Sequence, residues 1–456
     1  MQDPLAHTGI ACRLLDAIES ETLMHSVVSL VRPEHGEMSL DLGFRNLTEA
    51  LARAAAADIS ATFIDSDGNE ERVSYASMRE SALAMGNYLH RRGVAPGDRV
   101  PMLLPTDRSF IECFFGIIFA GAIPCPIAFP ASPAAAANLP QRTASIAKYL
   151  GATHAVTIAN RIDSFRSTMP DVAILSPEDA WRAKDGWFVP HIASPDDVAV
   201  ILCSLDDGGA TKGVMLTHAN VLAAAGQIEF ALSLEASDVL VNWLPLDSHM
   251  GLIGSVIAPI SVGFHSVVMQ ASRFYRTPAT WLRAVSRFGA TFSIAPGFAY
   301  SYAATRIRDN DIEGVRLDKW TRSLCTTESI DSGAFGAFQA RFREFGLPEN
   351  RVYPCWGLDE ASVCTASGLL TRATQVRVVD SVGNTLPERA VGKVFVSSPA
   401  VMKGYFNRPE ETERVLVDGW FDTGRVGFAS DGSVHLTGSA HAEARNTEGP
   451  ARNWQI

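Results

Sequence analysis

Cysteine is scarce and scattered: seven among 456 residues, with no CxxC pair and no Cys/His cluster at metal-ligand spacing. A dispersed, odd set excludes a disulfide framework and reads as reduced thiols in a cytoplasmic protein. Positive charge is in deficit, with 39 Lys and Arg against 50 Asp and Glu and a formal net charge of -11. That balance argues against nucleic acid or an anionic membrane as the main partner. An unbroken apolar run of about 20 residues, the length of a membrane span, is also missing. The greasiest stretch, FIECFFGIIFAGAIPCPIAFP (110–130), contains Glu112 and is broken by Pro124, Pro126 and Pro130. It reads as a buried helix, a turn at Gly121 and a short buried strand. The opening, MQDPLAHTGIACRLLDAIESE, lacks the basic-then-apolar pattern of a secretory leader. There is no G-x-S-x-G, H-E-x-x-H or G-x-G-x-x-G, and GGATKG is no Walker loop, since neither Ser nor Thr follows the lysine.

What is present is a large apolar fraction, 47% of residues, enough for a substantial core. Residues 1–43 read as an extension with one helical segment. FRNLTEALARAAA then opens a helix with Thr48 as its cap, and ATFIDSDGNEERVSY reads as a hairpin around Asp67-Gly68. YASMRESALAMGNYLHRRG is an amphipathic helix stopped at Gly93, and ASPAAAANLPQRTA is a Pro/Ala linker into a further helix. Strands such as DRVPMLLP, DDVAVILCS, DVLVNWLPL, HSVVMQ and TFSIAP alternate with helices such as HANVLAAAGQIEFAL and PATWLRAVSRFG. Continuous apolar strands separated by helices predict parallel sheets covered on both faces. From about 375 the texture turns hairpin-like, with turns at Gly383-Asn384 and Asp431-Gly432. The expected division is an extension (1–43), paired α/β subdomains (44–374), a β-rich subdomain (375–438) and a tail (439–456).

Six motifs stand in order: TKGVMLTHANVL (211–222), NWLPLDSHMGLIG (242–254), SIAPGFAY (293–300), VYPCWGLDEAS (352–362), VFVSSPAVMKGYFNRPEETE (394–413) and GWFDTGRVGF (419–428). Together they resemble the acyl-adenylate-forming ligases, closest to the fatty-acyl-AMP ligases. The resemblance covers roughly 44–438. It implies an α/β fold, the large N-terminal domain of adenylate-forming enzymes, with two covered, mostly parallel sheets and a terminal β-rich subdomain. It also implies activation of a fatty or polyketide-type carboxylate with ATP and Mg²⁺, then transfer of the acyl group to a carrier-protein thiol. An acyl chain and an acyl carrier protein are thus the implied partners, with no nucleic acid and no membrane span.

The same resemblance assigns site residues one by one. The phosphate loop resembles TSGSTGxPKG and matches at Gly209, Lys212 and Gly213, and Ser204 keeps a hydroxyl at the first position. Leu205, Asp206, Asp207 and Gly208 stand where the pattern has Ser-Gly-Ser-Thr. Hydroxyls and bare N–H groups suit a polyphosphate, and carboxylates oppose it. A unit charge about 5 Å from a phosphate costs about 3 kcal/mol at an effective dielectric near 20, or about a hundredfold in affinity. The pair also reads as a solvated acidic turn, or as a Mg²⁺ bridge. In the acyl-gate motif Ser248 and His249 replace the pattern's His-Asp, followed by Met250 and Gly251. Phe298 and Tyr300 either wall the acyl tunnel or pack the core. The adenine loop has Thr326, Thr327 and Glu328 where Gly-Ala-Glu is usual, and Trp356-Gly357 replaces Tyr-Gly. Glu360 aligns with the magnesium-coordinating glutamate.

Arg425 is the sharpest departure. The pattern's TGD aspartate accepts hydrogen bonds from the ribose hydroxyls, and arginine has donors only. Ser439 stands where the hinge arginine is expected, and 439–456 reads as a degenerate hinge and tail without the lid domain. Two readings follow. In one, the chain is a ligase-like protein with impaired or altered use of ATP, a pseudoenzyme or a repurposed acyl-binding protein. In the other, it is an active ATP-dependent acyl-AMP ligase whose lid is truncated or supplied by a partner. The departures fall on nucleotide contacts while the core patterning persists, which favours the first; ATP and Mg²⁺ are cofactors only under the second.

Overall fold

The computed structural model describes residues 30–31, 43–130, 138–183, 188–205, 210–326, 332–349, 351–366, 369–370, 374–430 and 433–439. The helical segment expected within 1–43, part of the Pro/Ala linker, the Asp431-Gly432 turn and the tail beyond Ser439 lie outside the described residues.

The apolar strands pair in parallel, as their continuous burial requires. Ile123–Pro126, Arg99–Leu103, His154–Thr157 and Ala173–Leu175 form a four-stranded parallel sheet in that spatial order. Between its first two strands in sequence runs the helix Arg108–Phe119, capped by the Asp107 carboxylate accepting from Ser109 N and buried along almost its whole length. Its one acid, Glu112, is fully buried and held by Arg108 at 2.7 Å. Burial nevertheless pushes the Glu112 carboxyl up to about 7. Among the described residues no helix is long and apolar enough to cross a membrane.

A nine-stranded sheet forms the second layer. Arg351–Leu358, Arg322–Cys325, Phe292–Ala295, Val239–Asn242, His265–Met269 and Ser60–Ile64 run parallel. One edge is closed by the hairpin partner Glu70–Ser74, and the other by Ala361–Ala366 and Leu369–Leu370. The hairpin turns at Asp67-Gly68, where Asp65 Oδ1 accepts from the amides of Asp67, Gly68 and Asn69. The core carries a dense aromatic cluster: Trp243 stacks on Phe274 at 4.0 Å, and Trp281, Trp320, Tyr300 and Phe338 meet edge to face.

One helix start differs from expectation. Asn46, not Thr48, caps Leu47–Ala56, its side chain accepting from Glu49 N. A cap must precede the first helical residue; Thr48 is already inside and donates its hydroxyl to Asn46 Oδ1 at 2.7 Å.

Two further sheets complete the fold. Val198–Leu205, Thr211–Thr217 and Gly404–Tyr405 form a three-stranded antiparallel ribbon. An antiparallel six-stranded sheet contains Gln375–Val379, Gly392–Ser397, Trp420–Ser430, Leu416–Val417 and Ser433–Ser439, with Leu30–Val31 from the extension on its edge. The strands therefore cross the divisions drawn from sequence. The extension adds a strand to the β-rich sheet, and Gly404–Tyr405 leaves that region to pair beside Lys212.

Candidate active site

Lys212 lies on Thr211–Thr217, and strand register places Ser204 opposite it. Glu360 lies in the turn between Arg351–Leu358 and Ala361–Ala366, its carbonyl accepting from Met402 N at 2.8 Å. These residues are 148 apart in sequence, yet Lys212 Nζ reaches Glu360 Oε1 at 2.8 Å. Their side chains are 23% and 12% exposed, so the pair is sheltered but reachable. Tyr405 completes the cluster. Its hydroxyl donates to the same Oε1 at 3.0 Å, and its ring lies 4.6 Å from the Lys212 ammonium. Burial, then the negative charge of Glu360, holds the Tyr405 phenol well above its ordinary range, so it stays a neutral donor. Sequence reasoning passes over Tyr405, because a tyrosine in a GYFNRPE turn carries no spacing signature of its own.

The acyl-gate motif is a tight turn feeding a helix. Ser248 caps His249–Leu252, accepting from Gly251 N at 3.1 Å and donating to Pro245 O at 2.7 Å. A side chain at Gly251 would put its first carbon 1.9 Å from Pro245 O, so the turn closes only around glycine. His249 is buried. Desolvation depresses its imidazole below the ordinary value against the opposing pull of Asp359 and Glu360, and the same burial raises the Asp359 carboxyl. Met250 packs on the strand of Trp356, with Cys355 Sγ 4.0 Å from its sulfur. Asp247, which the sequence reading left without a role, accepts from Phe129 N at 3.0 Å, and burial raises its carboxyl to about 6. Beyond the gate the helix widens into a π segment, Ile253–Ile257, a local irregularity frequent at functional sites.

The two aromatics of APGFAY separate. Tyr300 is 1% exposed and packs on Trp281, Phe335 and Phe338, a core position. Phe298 is 46% exposed, parallel to Tyr275 and edge-on to Trp243. Thr326 follows the strand Arg322–Cys325 and donates its amide to Ala295 O at 3.2 Å. Trp356 and Gly357 pair with Val363 and Ser362 in the antiparallel ribbon at the sheet edge. Asp206, Asp207, Gly208, Gly209, Thr327 and Glu328 lie outside the described residues.

Arg425 sits in Trp420–Ser430, opposite Val394 and Ser439. The Thr-Gly turn before it is built as a firm bend. Thr423 donates its hydroxyl to Val394 O at 2.7 Å, Gly424 has φ +65° and donates its amide to Asp422 Oδ1 at 2.9 Å, and Arg425 N donates to Thr423 Oγ1 at 3.2 Å. The bend is thus tied by three hydrogen bonds, and the side chain that follows it is a donor.

A cavity of about 660 Å³ shares no residue with this cluster. Four of the five acids lining it already serve the fold: Asp65 shapes the hairpin turn, Asp107 caps a helix, and Glu70 and Glu71 pair with Arg287 and Arg108.

Comparison with known proteins places this geometry. The model of the AMP-binding enzyme family matches residues 51–406. A Caulobacter vibrioides protein provisionally named an acyl-CoA synthetase is 28% identical over 446 residues, covering 87% of this chain and 77% of its own. The medium-chain-fatty-acid--[acyl-carrier-protein] ligase JamA of Moorena producens is 26% identical over 427 residues, 80% and 71% of the two chains. The fatty acyl-adenylate ligase from L. pneumophila, solved with acyl adenylate and pyrophosphate, superposes with a TM-score of 0.78 at 25% identity, covering 88% of this chain and 78% of its own.

Proposed function

The chain belongs to the AMP-binding enzyme family, and we propose that it is a fatty-acyl-AMP-ligase-like protein that receives a fatty or polyketide-type carboxylate while using ATP weakly or in an altered way. Arg425 carries this reading. The Thr423-Gly424 bend is held by its own hydrogen bonds, but a guanidinium has donors only where the family pattern has an aspartate that accepts from the ribose hydroxyls. Each unmet polar group in a closed site costs about 1–3 kcal/mol, and Asp206 and Asp207, if near the phosphates, add to that.

The acyl side supports retention of a carboxylate substrate. The gate turn at Gly251 and the Ser248 cap are formed, and relatives similar to this chain are named for fatty-acyl substrates. An acyl carrier protein as the thiol partner is part of the proposal, by likeness to the Moorena ligase. A cytoplasmic location is also proposed, on the scarce and dispersed cysteines.

The residues fit the family's cofactors only in part. Glu360 suits Mg²⁺, which takes one or two carboxylates together with substrate phosphates and waters, and Lys212 offers the cation a phosphate needs. When bound, the metal and the nucleotide would supply charge neutralisation and a leaving group. Lys212 would hold phosphate oxygens, Glu360 would orient the cation, and the gate turn would shape the acyl entry. The ribose position does not fit, for the reason given.

A second reading, an active ATP-dependent acyl-AMP ligase, is favoured by one observation: Lys212 and Glu360 converge at 2.8 Å. Calorimetric titration with Mg²⁺-ATP separates the two. Undetectable binding up to about 1 mM, a Kd weaker than about -4 kcal/mol represents, is expected. Micromolar binding, with pyrophosphate release on adding fatty acid, would remove the first reading in favour of the second.

A further inference from the structure

Two donors of different character meet on one carboxylate oxygen. The Lys212 ammonium and the Tyr405 hydroxyl both bond Glu360 Oε1, at 2.8 and 3.0 Å. Lysine is a compact charge on a flexible stem, and it follows the nearest anion. The tyrosine is fixed. It is 7% exposed, its strand pairs with the lysine's own strand at Val214, and its amide donates to Thr412 Oγ1 at 2.9 Å. A phosphate arriving at Lys212 would draw the ammonium off the carboxylate, and a carboxylate released by that cation would be free to swing.

We propose that Tyr405 is a positioning residue: its hydroxyl keeps Glu360 aimed into the site when Lys212 exchanges the carboxylate for an anionic ligand, leaving Oε2 to a divalent cation. Both of these bonds fall on Oε1, so the second oxygen is the one they leave open. A neutral donor suits this task. It orients the carboxylate without neutralising it, whereas the ammonium competes directly with a metal for the same charge. The inference rests on the reading of Glu360 as the metal-binding carboxylate, and is independent of whether ATP is used.

Mn²⁺ alone is the probe, titrated into the full chain and followed by loss of the free-ion electron paramagnetic resonance signal. Four variants form a cycle with the wild type: Lys212→Met, Tyr405→Phe, the double variant, and Glu360→Gln as the control. Phenylalanine keeps the ring against its neighbours and removes only the hydroxyl. Lys212→Met should bind Mn²⁺ about tenfold tighter than the wild type, because the competing charge is gone. Adding Tyr405→Phe to it should lose about fivefold to tenfold of that affinity, one charge-assisted hydrogen bond, at an unchanged melting temperature. Glu360→Gln should abolish the binding. Equal Mn²⁺ affinity in Lys212→Met with and without the tyrosine hydroxyl overturns the proposal, and so does Mn²⁺ binding that survives Glu360→Gln or is absent from Lys212→Met at 10 mM, on the order of the weakest site worth the name. If Tyr405→Phe melts early, the comparison of Lys212→Met with the wild type still decides whether the lysine competes for this oxygen. Nucleotide calorimetry tests the functional reading separately, so the two can fail apart.

Discussion

At the scale of single residues, the chemistry of this site turns on which side chain a preserved backbone presents. Arg425 follows a bend held by three hydrogen bonds, so replacing it need not disturb the turn. Arg425→Asp restores an acceptor, and nucleotide affinity by calorimetry should rise about tenfold, the value of one or two ribose hydrogen bonds; no rise would mean that the residue does not face the ribose. Lys212 and Glu360 were each singled out in the sequence by resemblance to a family motif, one at a time. Tyr405 was not. Its contact reaches back across 45 residues to a carboxylate that also meets Lys212, a further 148 residues back along the chain. Tyr300 shows the same limit from the other side: its motif left tunnel wall and core both open, and its ring contacts with Trp281 and Phe338 make it a core residue.

At the scale of elements, helix ends and strand edges do the positioning. The helix Leu47–Ala56 begins against the helix His218–Leu232, where Leu47 N donates to His218 Nδ1 at 3.2 Å. That bond needs a neutral imidazole, and burial lowers the His218 pKa from 6.5 to about 4. The folded state therefore binds this proton less readily than the unfolded state. Its stabilisation is fully present above pH 6.5 and is lost as pH falls toward 4. His218→Asn keeps an acceptor near Nδ1 without titrating. Between pH 7 and 4.5 the wild type should lose on the order of 2 kcal/mol more stability than this variant in urea unfolding; parallel losses would place the acid sensitivity elsewhere. Strand and helix order was largely readable, since apolar runs and amphipathic periods are local signals. The misplaced cap at Thr48 shows where that reading ends, because the choice between Asn46 and Thr48 depends on where the first helical turn closes.

At the scale of the whole molecule, two sheets meet where Lys212, Glu360 and Tyr405 converge. The lysine and the tyrosine come from neighbouring strands of the three-stranded ribbon, the tyrosine's strand lying in sequence between strands of the β-rich sheet, and the glutamate comes from the edge of the nine-stranded sheet. The acyl gate packs on that same edge through Met250 and Cys355. An acyl chain seated behind the gate should therefore stabilise the assembly as a unit. Saturated fatty acids of increasing length should raise the melting temperature by a few degrees up to a length limit, the shift about 1 kcal/mol of linked binding gives. An indifferent melting curve at every length would count against a retained acyl site.

The sequence by itself determined the covered parallel sheets and the order of the motifs, while the residues proposed to bind phosphate or metal rest on likeness to a family pattern. The sheets follow from hydrophobic period, which is written locally. Tertiary structure alone decided that a strand from the extension joins the β-rich sheet, that Gly404–Tyr405 crosses to the lysine's ribbon, and that one oxygen of Glu360 has two donors. Edge pairing is chosen by which backbone donors and acceptors remain unmet after the core closes, and no local pattern records that choice.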